Sequence, residues 1–461
     1  MANSNPSHCI AVIGGAVAGA EVAGTLAAAG CEVVVFEQAA RPYGKIEDGL
    51  PRWHKALREK EYTAIGERLT QPGIHFVPLT RIGEHIDLRE LVDDWGFTGV
   101  VLANGAWRDR PLPVEGVDAY IGKGMIYQNP FIIWFNHMNE AGYEGPTFEV
   151  EDRAIVVGGG LASIDVAKVV MLETTRAALR ERGIEVDTIE LEVKGIPKFL
   201  AGHGLQFEDL GLKGCTLFYR RGAQDMPLVE IPADATPDRI EKVRNSRAKL
   251  LQKATEKYRF NVEPLAAPED MIVEDGRLVG LVFRRMRSDG GKLVPTDETF
   301  ERRGSCVISS IGSIPLPIEG IEMKGELFRF TDWDLGRLEG FPTVFSAGNI
   351  VTGKGNIIAS RKHARRVTET MLEAFLGIAD DAQDAEAGLA EAARESVRET
   401  AGRIAAEITA QPKISAAAIA QIRSRVATRQ QEVGYDGNFE AWIGRVSPAT
   451  SDHAVQLQTP G

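Results

Sequence analysis

Two segments of this chain each combine a short apolar run, a glycine turn and a small-residue stretch, and they constrain the fold more than any other feature. The first runs from Cys9 to Gly19 (CIAVIGGAVAG) and the second from Ala154 to Ser163 (AIVVGGGLAS). Each reads as a buried parallel strand, a tight turn and the start of a helix whose free amides face a phosphate. One such unit holds one dinucleotide. Two in series place two dinucleotides side by side, which is what hydride transfer between them requires. Either run alone is a weak signal; the pair, with matching flanks, is a strong one.

In the first unit Gly14 makes the turn and Gly19 lets the helix, expected from Val17 to about Ala29, pack on the strand. Gly15 lies between them, and Ala16 stands where the G-x-G-x-x-G pattern has its second glycine. The next strand, Glu32–Phe36, ends directly at Glu37, 18 positions after Gly19. A carboxylate there accepts ribose hydroxyls and repels a 2′-phosphate, so this unit is expected to hold FAD or NAD(H).

Three segments favour FAD. Arg41–Lys45 (RPYGK) follows Glu37 at once, which resembles two-dinucleotide flavoproteins and by that resemblance places Gly44 and Lys45 at the cofactor. Gly99–Ala106 is a strand ending in a tight turn at Asn104 and Gly105. Thr343–Asn349 supplies a second flavin-type turn, with Gly348 and Asn349, some 240 positions later. The flavin domain is therefore split in sequence, with the second unit inserted in it.

In the second unit Gly158, Gly159 and Gly160 form the turn, and Leu161, Ala162 and Ser163 open the helix. A helical, charge-rich stretch follows before the next strand, Cys215–Tyr219. That strand ends in Arg220 and Arg221, the position Glu37 holds in the first unit. Two guanidiniums there suit a 2′-phosphate, so this unit is expected to take NADP(H). The bland reading is a solvated basic turn.

The pieces VIGGAVAG, FEQAARPYG, GLPRWHK, VVLANGA, LPVEG, VVGGGLASIDVA, FYRRGAQDMP, SSIGSIP and FSAGNIVTGKGNI span about residues 9 to 370. In this order they resemble the adrenodoxin-reductase-like and glutamate-synthase-small-subunit-like FAD/NADP oxidoreductases. The resemblance implies a noncovalent FAD reduced by NADPH, with electrons leaving singly to a ferredoxin or another iron–sulfur protein or subunit. It also implies flavin contacts from Leu50 and from the loop Gly355, Asn356 and Ile357. It brings Gly49–Lys55 close to the isoalloxazine, where His54 is the one candidate catalytic side chain, as a hydrogen-bonding group or proton relay. The chain departs from the family at Ala16, at Asn349 in place of tryptophan, and in a glycine loop one residue shorter.

Bulk properties agree with this reading. At 461 residues the chain needs more than one core. A net charge of −12 argues against nucleic acid. The most apolar stretch, Ile155–Leu172, carries Asp165 and Lys168, so no membrane span is expected. No basic region precedes the first apolar run, so a secretory signal is not expected, and the location is read as cytoplasmic. Cys9, Cys31, Cys215 and Cys306 form no C-x-x-C or metal-ligand spacing, so no bound metal is expected and the electron acceptor lies outside the chain.

The expected fold class is α/β, with two Rossmann-like domains and a helical tail. The FAD-binding domain takes residues 1–115 and 336–378, the NADP-binding domain 116–335, and the helical C-terminal extension 379–461. In that extension helices are expected over 379–410 and 415–433, broken by Pro412. It is either a hairpin packed on its own flavin domain or a docking arm that exposes Phe439, Trp442 and Ile443 to another subunit of a heteromeric complex. Two other readings remain open: an NAD(H)-linked flavoprotein subunit, and a structural subunit that has lost hydride transfer.

Overall fold

The computed structural model describes residues 6–229, 231, 235–290, 292–352, 369–378 and 383–448. Two five-stranded sheets dominate it. The first has the order Val344–Ser346, Gly99–Leu102, Cys9–Ile13, Glu32–Phe36, Ile74–Val77, every pair parallel. An all-parallel sheet is covered on both faces, so its strands are continuous apolar runs rather than alternating ones. Cys9–Ile13 and Glu32–Phe36 are buried throughout.

The second sheet repeats the plan: Met125–Tyr127, Val307–Ser310, Ile155–Gly158, Thr216–Tyr219, Asn261–Pro264, again all parallel. In both sheets the strand before the glycine turn is central. The next two strands in sequence lie to one side of it; on the other side are two later strands in the first sheet, and Val307–Ser310 with the earlier Met125–Tyr127 in the second. The reversal of strand order opens a crevice at the carboxyl ends of the strands, the usual ligand position in such sheets. The charge-rich stretch after the second glycine turn is helical as expected, as Leu161–Arg180, Thr188–Lys194 and Ile196–Ala201.

The chain crosses from the first sheet to the second through Arg108–Asp109 and returns through Ser313–Ile314. These two short strands pair with each other, antiparallel, Ser313 opposite Asp109. A three-stranded antiparallel sheet, Ala266–Glu274, Arg277–Asp289 and Lys292–Arg303, covers one side of the second sheet. Phe283 from it stacks on Phe218 with ring centres 4.2 Å apart.

Side chains alternate across a strand, so Ile10 and Val12 face one side of the first sheet and Cys9, Ala11 and Ile13 the other. The C-terminal helices use both faces. Gln383–Thr409 brings Ala401, Ile404 and Ile408 to the side of Ile10 and Val12. Ala416–Glu432 brings Ile419, Ile422 and Val426 to the side of Ala11 and Val34. Its Arg423 reaches Glu32 within the sheet, both contacts being 2.6 Å.

Phe439 and Trp442 are not the exposed anchors of a docking arm. They lie on one face of the helix Phe439–Val446 and are buried with Phe76 and Tyr435. Trp442 Nε1 donates to the Ala40 carbonyl at 2.7 Å. Ile443 is partly buried against the same core. The extension packs on its own first sheet.

Candidate functional site

The carboxyl ends of both sheets open onto one cleft of about 1460 Å³. Its walls include both glycine turns, Glu37, Asn104, Arg220 and Asn349.

On the first side, Gly14 adopts φ +100, and a Cβ there would lie 2.8 Å from the Ala103 carbonyl oxygen. A Cβ on Gly19 would come within 1.7 Å of the Gly14 oxygen. The helix Val17–Ala28 thus starts tight against the turn, with its free amides at the cleft. Glu37 is 6% exposed. It accepts the Gly15 amide at 2.7 Å on Oε2 and the Ala39 amide at 2.9 Å on Oε1. Burial raises its pKa, and these two amide bonds oppose the rise. A carboxylate offers about four acceptor sites, so hydroxyl donors can still be received.

Ala16 has a local explanation. Its methyl faces Gly44, where a Cβ would come 2.9 Å from it. Gly44, 28 residues further along the chain, supplies the room that a second glycine at position 16 would otherwise give. Asn104 Oδ1 is buried without a hydrogen-bond partner among the described residues. Gly105 and Gly348 both hold positive φ, +72 and +78. Leu50 also lines the cleft, while Gly355, Asn356 and Ile357 lie outside the described residues.

On the second side, a Cβ on Gly158 would meet Ser163 Cβ and the Ser310 oxygen, both at 2.5 Å. Gly159 lies under the Tyr219 ring, which a Cβ would enter at 2.1 Å. Gly160 caps the helix Leu161–Arg180, and Ser163 Oγ donates back to its carbonyl at 2.6 Å. Leu161 and Ala162 sit in the first turn on the cleft wall. The two arginines separate: Arg220 lines the cleft, whereas Arg221 is exposed outside it and its carbonyl accepts the Leu265 amide. A strand end turns successive side chains to opposite sides, which accounts for the split.

His54 is 3% exposed and is not on the cleft wall. Its ring stacks on Phe375, centres 4.5 Å apart, and Phe375 lines the cleft in front of it.

Several cleft residues carry no sequence motif. Arg247, from the helix Pro237–Tyr258, is buried and donates to the Val229 carbonyl at 2.7 Å. Lys45 contributes its side chain as well as its backbone: Nζ lies 3.0 Å from Ser313 Oγ and 3.2 Å from Asn129 Oδ1. Burial brings this ammonium down to about 8, with Asp109 and Asp48 pulling the other way. Burial pushes the Asp109 carboxyl up to about 6, against the Asn129 amide and Lys45. The four cysteines are free and buried, and burial raises every thiol pKa, Cys31 and Cys306 to about 11. Such thiols are poor redox nucleophiles.

The cradles that a Cβ would fill, the amides at two helix starts and the orphaned Asn104 oxygen fit two dinucleotides, one per sheet. Among the described residues no helix is long and apolar enough to cross a membrane.

Known proteins agree with this geometry. Residues 10–196 match the family model described as pyridine nucleotide-disulphide oxidoreductase. The mitochondrial NADPH:adrenodoxin oxidoreductase of Arabidopsis thaliana is 24% identical over 80% of this chain and 82% of its own length. The NADPH-ferredoxin reductase FprA of Mycobacterium tuberculosis is 24% identical over 74% of this chain and 76% of its own. A solved structure of FprA superposes with a TM-score of 0.62, covering 92% of this chain and 91% of that one at 19% identity. The small chain of the NADPH glutamate synthase of Bacillus subtilis is 36% identical over 27% of this chain, a stretch that spans 24% of that protein. Through residues 10–196 the chain is similar to the pyridine nucleotide-disulphide oxidoreductase family, and over most of its length it is similar to the adrenodoxin and ferredoxin reductases.

Proposed function

We propose that this protein is an FAD-dependent NADPH oxidoreductase that exchanges electrons with a separate iron–sulfur protein. The observation that carries the reading is the single cleft onto which two phosphate-binding turns open, one followed by Glu37 and the other by Arg220. A flavin beside a nicotinamide supplies hydride acceptance and single-electron release, chemistry that belongs to the cofactor.

The chain's own residues bind, orient and select. We assign FAD to Gly14, Gly15, Ala16, Gly19, Glu37, Gly44, Lys45, Leu50, Asn104, Gly105, Gly348 and Asn349, together with the loop Gly355, Asn356 and Ile357. Glu37 orders the Gly15 turn and excludes a 2′-phosphate. We assign NADP(H) to Gly158, Gly160, Leu161, Ala162 and Ser163, with Arg220 as the 2′-phosphate contact. The FAD domain then comprises 1–115 and 336–378, the NADP domain 116–335, and the extension 379–461. His54, behind Phe375, tunes the packing near the reactive edge rather than relaying a proton from the cleft wall.

The relatives named for adrenodoxin, ferredoxin and glutamate synthase support an iron–sulfur partner. We place the enzyme in the cytoplasm. We also propose that it works in a heteromeric complex, using the outward faces of the C-terminal helices, since Phe439 and Trp442 are occupied internally. One observation favours a second reading, NAD(H) use: Arg221 stands outside the cleft, leaving one guanidinium where two were expected.

The test is spectroscopic. The purified protein is expected to be yellow, to bleach with NADPH under anaerobic conditions, and to reduce a dye or ferredoxin in turnover. Bleaching by NADH at equal efficiency favours the second reading; a colourless protein that gains no flavin on reconstitution defeats both.

A further inference from the structure

We infer that Lys45 is a positioning residue for hydride transfer: its ammonium clasps both crossings between the two nucleotide units and so fixes how their sites face one another. The inference rests on the functional reading above. The main chain passes between the two units through the outgoing crossing, Trp107–Asp109, and the return crossing, Gly312–Ile314. Their pairing spans two residues on each side, with the Arg110 amide donating to the Gly312 carbonyl at 2.9 Å beyond it. A two-stranded ribbon is only marginally stable by itself, and one this short cannot hold two domains at a set angle. Side chains have to brace it.

Lys45 begins the short helix Lys45–Asp48 of the first unit. Its Nζ donates to Ser313 Oγ, on the return crossing, at 3.0 Å and to Asn129 Oδ1 at 3.2 Å. Asn129 belongs to the helix Gln128–His137 of the second unit. Its Nδ2 donates to the Trp107 carbonyl, on the outgoing crossing, at 2.9 Å and to Ser313 Oγ at 3.2 Å. Its backbone amide donates to Asp109 Oδ1 at 3.2 Å. Nζ also lies 5.5 Å from the centre of the Trp107 ring. One ammonium thus meets the first unit, both crossings and the second unit.

A second brace points the same way. Asn136, two turns along the same helix, donates to the carbonyls of Glu47 at 2.9 Å and Leu50 at 3.0 Å. This brace joins helix to loop but touches neither crossing. Lys45 is therefore the group by which the first unit grips the ribbon, as Asn129 grips it from the second. Lys45, Asn129 and Ser313 all line the cleft, so a change in their spacing moves the walls on which the two nucleotides rest. A displacement of about 1 Å between reacting groups can cost on the order of a hundredfold in rate.

The test compares holoenzyme wild type with Lys45→Met and Ser313→Ala, the latter a smaller perturbation that guards against misfolding of the former. Flavin bleaching by NADPH in the wild type, followed by rapid mixing, tests the functional reading alone. In Lys45→Met the limiting bleaching rate at saturating NADPH is expected to fall at least about tenfold, with flavin content and NADP+ affinity within about twofold of wild type. Ser313→Ala is expected to fall in the same direction, and the double variant to fall by less than the product of the two. Hydrogen exchange at residues 107–112 and 311–315 is expected to quicken in both variants, a readout that needs no hydride transfer. Unchanged exchange together with an unchanged limiting rate overturns the clasp. So does a fall in flavin content or NADP+ affinity that matches the fall in rate, which would make the Lys45 side chain, and not its backbone alone, a cofactor contact.

Discussion

Arg394 Nη1 lies 2.6 Å from Glu61 Oε1, and the two side chains are 8% and 1% exposed. The contact joins the C-terminal helix Gln383–Thr409 to the helix Lys55–Leu69 beside the cleft, which Glu61 lines. Burial raises the Glu61 pKa, and Arg394 opposes that rise. Removing one partner of a buried pair strands the other charge. Arg394→Met is expected to lower the unfolding free energy by about 3 kcal/mol, and pairing it with Glu61→Gln to recover much of the loss. Denaturant titration of both single variants and the double checks this; a loss in the double equal to the sum of the two single losses would show that the pair carries no coupling.

Glu37 is the acceptor of two backbone amides that shape the first turn. Glu37→Arg replaces this acceptor with a donor in a buried position. Each charge-assisted bond contributes roughly 1.5–3 kcal/mol, so flavin retention is expected to fall by a factor of ten or more at about 1.4 kcal/mol per decade. Flavin absorbance per protein after dialysis is the measurement, and full occupancy would remove Glu37 from the site.

The split between the two arginines makes the nucleotide preference a one-residue question. Arg220→Ala is expected to reduce the NADPH-over-NADH preference in kcat/KM by roughly tenfold or more, the worth of one charge-assisted phosphate contact. Arg221→Ala is expected to change it by less than about twofold, since that side chain lies outside the cleft. Steady-state dye reduction with both nucleotides separates the cases. An equal effect of both variants would mean that Arg221 turns inward when nucleotide binds.

Acid stability should report on Glu32. Burial works against its charge, but the hydrogen bonds from His75 and Arg423 prevail and hold its pKa at about 2. A carboxyl whose folded pKa is depressed stabilises the fold above its unfolded value, near 4.3, and loses that contribution as pH falls towards the folded value. Wild type is therefore expected to lose stability between about pH 4.5 and pH 2 more steeply than Arg423→Ala, which is already weaker at neutral pH. Thermal unfolding across that range reads the difference; parallel curves would show that Arg423 does not set the Glu32 pKa.

The sequence exposed those parts of the site that a local backbone requirement dictates. Gly14, Gly19, Gly158 and Gly159 are there because a Cβ would strike a named neighbour, and such demands leave glycines at fixed spacing. Glu37 was legible because it ends the strand next to the turn it serves. Lys45 was read as a cofactor-site residue and Ser313 lies in SSIGSIP, but the meeting of the Lys45 ammonium with Asn129 and Ser313 was not legible, since the three come together from positions 84 and 268 residues apart. Two further features carry a local signal in the sequence. Adjacent residues at a strand end point apart, which already separates Arg220 from Arg221. Phe439 and Trp442 are three apart on a helix, a spacing that marks one buried face. The antiparallel sheet Ala266–Arg303 left no imprint because its exposed positions are filled by paired charges such as Arg284 with Glu269.

Asp109 and Ser313 sit opposite each other in one ribbon although more than two hundred residues of chain separate them. Directly opposed residues of paired strands lie only about 5 Å apart. The main chain of the whole intervening segment therefore leaves and re-enters at one place. Its entry and exit need no rearrangement of the first sheet, so a segment of different length or nucleotide taste can be grafted at the same two positions. Excising residues 111–311 and closing the gap with a short turn would leave a circuit of chain that still contains all five strands of the first sheet. On the proposed assignment of FAD and NADP(H), the architecture separates the part that stores electrons from the part that chooses their source, and allows each to be altered while the other is kept.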